Sequence, residues 1–259
     1  MNGQGCVSLT IRGVVASVTF DRPAARNAMT WTMYEQLAQI CVALAARSDV
    51  RVVTFRGAGG QAFVAGTDIA QFQDFRSGED GVAYERRIDE GIALIENLPM
   101  PTIAAIDGWA VGGGLVIAAA CDFRIATPAS RFGVPIARTL GNTLSMANLA
   151  RLKEAFGPAV AKRMLLLAEM LDADQAAANG FLHGVCPATE LDASLAAFCE
   201  RLLSLAPVTQ RVAKEGLRRL ASAQLPDGDD LVRQCYGSAD FHHAVEAFVA
   251  RRTPIWTGT

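Results

Sequence analysis

Ile103-Ala104-Ala105-Ile106-Asp107-Gly108-Trp109-Ala110-Val111-Gly112-Gly113-Gly114 begins as a run of small and branched apolar residues and ends in three consecutive glycines. Thr102 to Asp107 reads as a strand. The glycines then open a short apolar helix to Cys121, and Phe123 to Ala126 returns as a strand. Strands interleaved with helices indicate an α/β core.

Upstream, apolar and polar residues alternate from Val7 to Ile11, break at Gly13 and resume from Val14 to Phe20, the pattern of a β-hairpin. From about Thr30 to Arg47, Met33, Leu37, Ile40, Cys41 and Leu44 recur at helical spacing, with Thr30 placed to cap the amphipathic helix. Val50 to Arg56 is a buried-type strand, and a helix from about Asp80 to Asn97 is stopped by Pro99 and Pro101. Beyond about Asn142 the strand signal fades. Helices are expected at roughly 142–155, 159–169, 173–179, 189–205, 207–222 and 238–250, with Asp172 and Gln175 as a capping pair. The division expected is a core over 1–188 and a helical assembly region over 189–259.

The chain has 259 residues, a net charge of -2, 51% hydrophobic and 19% charged residues. A chain of this size buries about 70% of its surface on folding, enough for one large core. Without a basic run there is no sequence-independent attraction to phosphate backbones, so nucleic acid is excluded as a partner. No segment reads as a signal peptide or membrane span. The six cysteines are scattered, without CxxC or metal-ligand spacing, and indicate thiols in a reducing cytoplasm and no metal. Only His183, His242 and His243, and Lys153, Lys162 and Lys214, supply those residue types, and no GxSxG nucleophile elbow occurs.

Gly57-Ala58-Gly59-Gly60-Gln61-Ala62 fits GxGxxA after a strand, but Phe63 to Asp68 is apolar and glycine-broken and starts no long helix, which argues against a dinucleotide site. Two other segments carry more: Phe63-Val64-Ala65-Gly66-Thr67-Asp68-Ile69 and Ile106 to Gly114. Each runs from a strand into a small-residue turn, where unpaired backbone N–H groups receive negative charge. Two such donors on one oxygen form an oxyanion hole, which requires glycine for close approach. The same glycines equally suit tight packing of helix on strand, and spacing alone does not separate the two uses.

The Ile103–Gly114 string with Cys121-Asp122, Asp21-Arg22-Pro23 leading to Asn27-Ala28-Met29, the block Ala65 to Ile69, and the tail Phe248, Arg251, Arg252, Pro254 and Trp256 together resemble the crotonase (enoyl-CoA hydratase/isomerase) superfamily. The resemblance spans nearly the whole chain in order. It implies a spiral of ββα turns followed by a C-terminal helical trimerisation region, an acyl-CoA thioester as ligand, and an oxyanion hole from the amides of Thr67 and Gly113. By position it also implies contacts with coenzyme A at Ala25, Arg26, Ala65, Asp68, Ile69 and Arg251. Coenzyme A enters as part of the substrate, and no separate cofactor is implied.

Family hydratases hold water with two glutamates, and the corresponding positions here are Val116 and Ile136. Each acid-base group is worth about 10² to 10⁴ in rate, so conventional water addition should suffer. No aspartate lies between Asp122 and Asp172 to act as a nucleophile. Asp89, Glu90 and Asn142 are the nearest polar candidates, with a helix-surface position also open to both acids. The expectation is an acyl-CoA enzyme that stabilises a thioester enolate. An isomerase, decarboxylase or thioester hydrolase with another polar group, or a non-catalytic acyl-CoA binding protein, stays open. A homotrimer or dimer of trimers is expected, buried through Leu195, Phe198, Leu202, Leu203, Val245, Phe248 and Val249.

Overall fold

The computed structural model describes residues 5–221 and 227–257. Strands β1 (Cys6–Arg12) and β2 (Val15–Asp21) form the expected antiparallel hairpin. Helix α1 (Trp31–Ala45) comes next, with the Thr30 side chain accepting the Met33 N–H as its cap, and it buries Met33, Tyr34, Leu37, Cys41 and Leu44. Each such side chain contributes about 1.5–3 kcal/mol when fully buried.

Three successive turns of chain then repeat one plan. Strand β3 (Val52–Gly57) leads to β4 (Ala62–Val64) and helix α2 (Gly78–Glu96). Strand β5 (Thr102–Ile106) leads to β6 (Trp109–Val111) and α3 (Gly113–Ala120). Strand β7 (Phe123–Ala126) leads to β8 (Arg131–Gly133), α4 (Ile136–Thr139) and α5 (Met146–Leu166). The first strand of each turn joins one sheet and the second joins another. With β9 (Met170–Asp172) and β10 (Gly184–Val185) the sheets are ordered β1-β2-β3-β5-β7-β10 and β4-β6-β8-β9. This is the ββα spiral expected from the resemblance.

Both faces of β5 are buried, and its side chains divide by parity. Ala104 and Ile106 enter the main core with Val53 and Phe55, whereas Ile103 and Ala105 pack with Leu191, Cys199 and Leu202 of α7 (Leu191–Leu203). A strand covered on both sides shows little polar alternation, which is why its sequence is a nearly continuous apolar run.

The two helices expected at 142–155 and 159–169 are the two arms of α5, which breaks where Gly157 leaves the helical region (φ 72, ψ 162) ahead of Pro158. Ser145 caps its start, so the segment from 142 to 145 is loop rather than helix. Helix α6 (Ala173–Ala178) carries the Asp172–Gln175 capping box. Helix α8 runs over Pro207–Ala221, and residue 222 of the expected helix lies outside the described residues. Helix α9 (Asp229–Tyr236), which the sequence pattern had not disclosed, and α10 (Ala239–Val249) fold back onto α2 and the 3-10 turn at Ile69–Asp74.

That return places much of the C-terminal apolar surface inside the chain. Val232, Tyr236, Phe241 and Val245 join Phe72, Val82 and Leu140 in one cluster. Leu202 and Val245, expected in a subunit interface, are therefore buried within the chain, and Leu195, Phe198 and Leu203 pack beside Leu202. Phe248 and Val249 remain about half exposed. A more open apolar face lies on α8, where Val208, Val212, Leu217 and Leu220 are each more than half exposed.

Candidate active site

The site begins with Asn27. Its backbone takes a left-handed φ of 57° and its side chain is fully buried. Nδ2 donates to the Ala58 and Ala62 carbonyls at 2.9 and 2.8 Å, while Oδ1 accepts the Arg22 N–H at 2.8 Å. These bonds explain the Asp21-Arg22-Pro23…Asn27 pattern, because one amide side chain satisfies both the turn and the β3–β4 connection. Met29 then pairs with Thr67: the Met29 N–H donates to Gly66 O at 2.8 Å and the Asp68 N–H to Met29 O at 2.9 Å. In such a parallel bridge the intervening amide, that of Thr67, points away from Met29.

The Thr67 hydroxyl is held from two sides, 2.8 Å from Tyr34 Oη and 2.8 Å from Tyr84 Oη. Burial pushes the Tyr34 phenol up to about 12 and holds the Tyr84 phenol well above its ordinary value, so both stay protonated in the neutral range. Across from Thr67 stands the triple glycine, and its members do different work. Gly112 takes φ 55, ψ −124, which side-chain-bearing residues rarely adopt. A Cβ on Gly114 would lie 1.9 Å from Val64 O, so tight packing of α3 on β4 requires glycine there. A Cβ on Gly113 would meet only Tyr34 Oη at 3.0 Å and Thr67 Oγ1 at 3.7 Å, which places this position beside the Thr67 hydroxyl pair. As the first residue of α3, Gly113 has an N–H outside the intrahelical ladder. The C-terminal end of α3 is capped by the buried Arg124, which donates to Ala118 O, Cys121 O and Asp122 O.

These elements surround a cavity of about 880 Å³. Thr67, Gly113, Ala25, Arg26, Ala65, Asp68, Ile69, Arg251 and Asn142 all line it, as do Val116 and Ile136. Val116 is fully buried and Ile136 half-buried, so that part of the wall is apolar. At the mouth, Arg22 pairs with Asp68 at 2.8 Å.

Asp89 and Glu90 lie elsewhere. Glu90 is exposed, and Asp89 faces α5, where it accepts from Ser145 Oγ at 2.7 Å and pairs with Arg151 at 3.3 Å. Besides Asp68, which is paired with Arg22, the cavity is lined by a second acid, Glu85, one turn before Asp89 on the same helix and 3% exposed. Its Oε1 accepts the Tyr236 hydroxyl at 2.8 Å and its Oε2 the Ser145 N–H at 2.9 Å. Burial raises the Glu85 carboxyl to about 7 against the lowering effect of these bonds. Asn142 Nδ2 donates to Tyr236 Oη at 3.0 Å, whereas its buried Oδ1 has no partner among the described residues. Helical spacing alone could have placed Glu85 on the face opposite Arg86 and Glu90. Its partner Tyr236, from α9, could not have been foreseen.

Residues 10–259 match the enoyl-CoA hydratase/isomerase family. The chain is 30% identical over 250 residues to a short-chain-enoyl-CoA hydratase of Clostridium acetobutylicum, covering 95% of each protein. It is 32% identical to an enoyl-CoA isomerase/hydratase of Mycosarcoma maydis, covering 94% of this chain and 93% of the other. Among solved structures, a methylmalonyl-CoA decarboxylase in complex with 2-nitronate-propionyl-CoA superposes with a TM-score of 0.88 at 25% identity, over 98% of each chain. Full-length agreement in sequence and in the two-sheet spiral leads to one conclusion: the chain belongs to the enoyl-CoA hydratase/isomerase family.

Proposed function

We propose that this protein is an acyl-CoA enzyme that holds the thioester oxygen between the backbone amides of Thr67 and Gly113 and stabilises an enolate there. The observation that carries the reading is their placement: two amides outside strand and helix ladders, on either side of one cavity, with the Thr67 side chain fixed by Tyr34 and Tyr84. Charge forming on the thioester oxygen meets donors that need no reorganisation, the condition under which such donors are worth about 10² to 10³ in rate each. Ala25, Arg26, Ala65, Asp68, Ile69 and Arg251 line the same cavity and are assigned to coenzyme A, which is bound as part of the substrate.

Apolar Val116 and Ile136 leave no carboxylate at either position to orient water, so the wall disfavours ordinary hydration and favours chemistry from which water is excluded. Proton shuffling in the acyl chain fits this wall. The likeness to a methylmalonyl-CoA decarboxylase supports a second reading, in which loss of carbon dioxide generates the same enolate. A cytoplasmic location and assembly as a trimer or dimer of trimers belong to the proposal, the first on the scattered thiols and the second on the exposed apolar face of α8. No helix among the described residues is long and apolar enough to cross a membrane.

The test is turnover across a panel of acyl-CoA thioesters monitored by mass change. An isomerised or decarboxylated product supports the enzymatic reading; binding without any turnover supports a non-catalytic acyl-CoA binding protein.

A further inference from the structure

Glu85 has a position that packing alone does not require. It lines the main cavity and also a second pocket of about 210 Å³, which Ser145, Asp89 and Asp229 border from the far side. One buried acid thus borders both the main cavity and a second recess. Its two oxygens accept from Tyr236 Oη and the Ser145 N–H, and the Asn148 side chain also hydrogen-bonds the carboxyl, an arrangement that fixes it at the cavity wall. Asn142 extends the chain by donating to Tyr236. The cavity wall near it, at Val116, Ile88 and Leu144, is apolar.

We propose that Glu85 is the catalytic acid-base group of this cavity, moving a proton to and from the acyl carbons of the bound thioester. The inference rests on the thioester reading above. In the forward step the C–H bond next to the thioester carbonyl breaks. Its electron pair moves into the carbonyl system as an enolate, whose oxygen lies between the Thr67 and Gly113 amides, and the proton forms an O–H bond on Glu85. Return of the proton to the same carbon regenerates the substrate. Return to the carbon two bonds further along an unsaturated chain shifts the double bond. No oxidant or co-reactant is needed, and exchange with water in the second pocket replaces the proton by one from solvent. A carboxyl held near neutrality by burial suits both directions of transfer.

The groups facing Glu85 come from several elements. Asp89 and Tyr84 are on its own helix, Tyr34 is on α1 and Tyr236 and Asp229 are on α9, while Arg151 of α5 acts through Asp89. Arg86 and Arg233 engage Asp229 on the outer side, and Arg138 of α4 borders the cavity.

The experiment incubates the full chain with but-3-enoyl-CoA in D2O and records deuterium entry and double-bond migration by mass spectrometry and absorbance, with thioester binding measured separately by calorimetry. The expected result is exchange by the wild type, and a loss of about 10² to 10⁴ in Glu85→Gln with binding changed less than about threefold. Glu85→Asp, which retracts the carboxyl by one methylene, should lose at least about tenfold and guards against a misfolded amide variant. Tyr236→Phe removes a donor to the carboxylate and should move the pH midpoint of exchange upward, a readout that a purely structural Glu85 would not give. A folded Glu85→Gln that exchanges at the wild-type rate overturns the proposal. So does a wild type that binds the thioester without exchange. A wild type that fails to bind the thioester instead removes the thioester reading on which the proposal rests.

Discussion

The Tyr236 hydroxyl donates to Glu85 Oε1 at 2.8 Å, joining positions 151 residues apart and fastening α9 over the cavity helix. Glu85 ionises at about 7 in the folded chain against 4.5 unfolded, so between those values the native state binds more protons. Stability therefore falls as pH rises from about 4.5 to about 7 and is level above that, by at most about 3 kcal/mol. Urea unfolding at pH 5 and pH 8 should show this slope in the wild type, and Glu85→Gln should lack most of it.

Thr67 depends on its hydroxyl for position. Thr67→Val keeps the shape and the backbone amide but leaves the Tyr34 and Tyr84 hydroxyls without their shared partner, at a cost of about 1–3 kcal/mol. Chemical denaturation should register that loss, and turnover should fall while coenzyme A affinity changes little.

Arg124 closes the far end of α3 with bonds to Phe181 O at 2.6 Å and Cys121 O at 2.6 Å, and stacks over the Phe181 ring. Arg124→Met should lower stability by about 3 kcal/mol or more, because several buried carbonyls lose a charged donor together. A denaturation midpoint equal to that of the wild type would contradict the capping role.

Helix α8 touches the core through Lys214, which reaches Asp122 at 2.7 Å and Met100 O at 3.1 Å, while Val212, Leu217 and Leu220 face outward. Light scattering should give the mass of a trimer or hexamer, and Leu217→Asp with Leu220→Asp should shift it toward monomer. A wild-type monomer at micromolar concentration would contradict assembly through this face.

Much of this architecture is legible in the sequence where burial is one-sided and local. The β1–β2 alternation, the Thr30 cap and the Asp172–Gln175 box all recur as read. The three-residue strands β4, β6, β8 and β9 are not legible, since each is too short to show a period and exists only through its neighbours. The three glycines show the limit well. Close packing and ligand approach were equally open from spacing, and the structure divides them, with Gly114 against Val64 O and Gly113 beside Thr67. Asp89 and Glu85 differ by one helical turn, and only the contact with α9 shows which of them enters the cavity.

Val116 and Ile136 face the cavity without a carboxylate, so crotonyl-CoA should be hydrated below the 10⁴ M⁻¹s⁻¹ that about marks the lower bound for enzymes on their own substrates. Loss of the enoyl-thioester absorbance measures this. Val116→Glu with Ile136→Glu should raise hydration if the fold tolerates two buried acids, which the pH dependence of unfolding would reveal.

The most direct test of the thioester oxyanion site is Gly113→Pro. Position 113 is the first residue of α3, where proline is tolerated, so the substitution deletes the donor and fills its place with ring carbon while the helix can still form. Turnover of a thioester that the wild type converts should be measured beside coenzyme A affinity and a circular dichroism spectrum. The expected result is a loss of about 10² to 10³ in turnover with affinity for coenzyme A retained. A folded Gly113→Pro protein with wild-type turnover would contradict the oxyanion site.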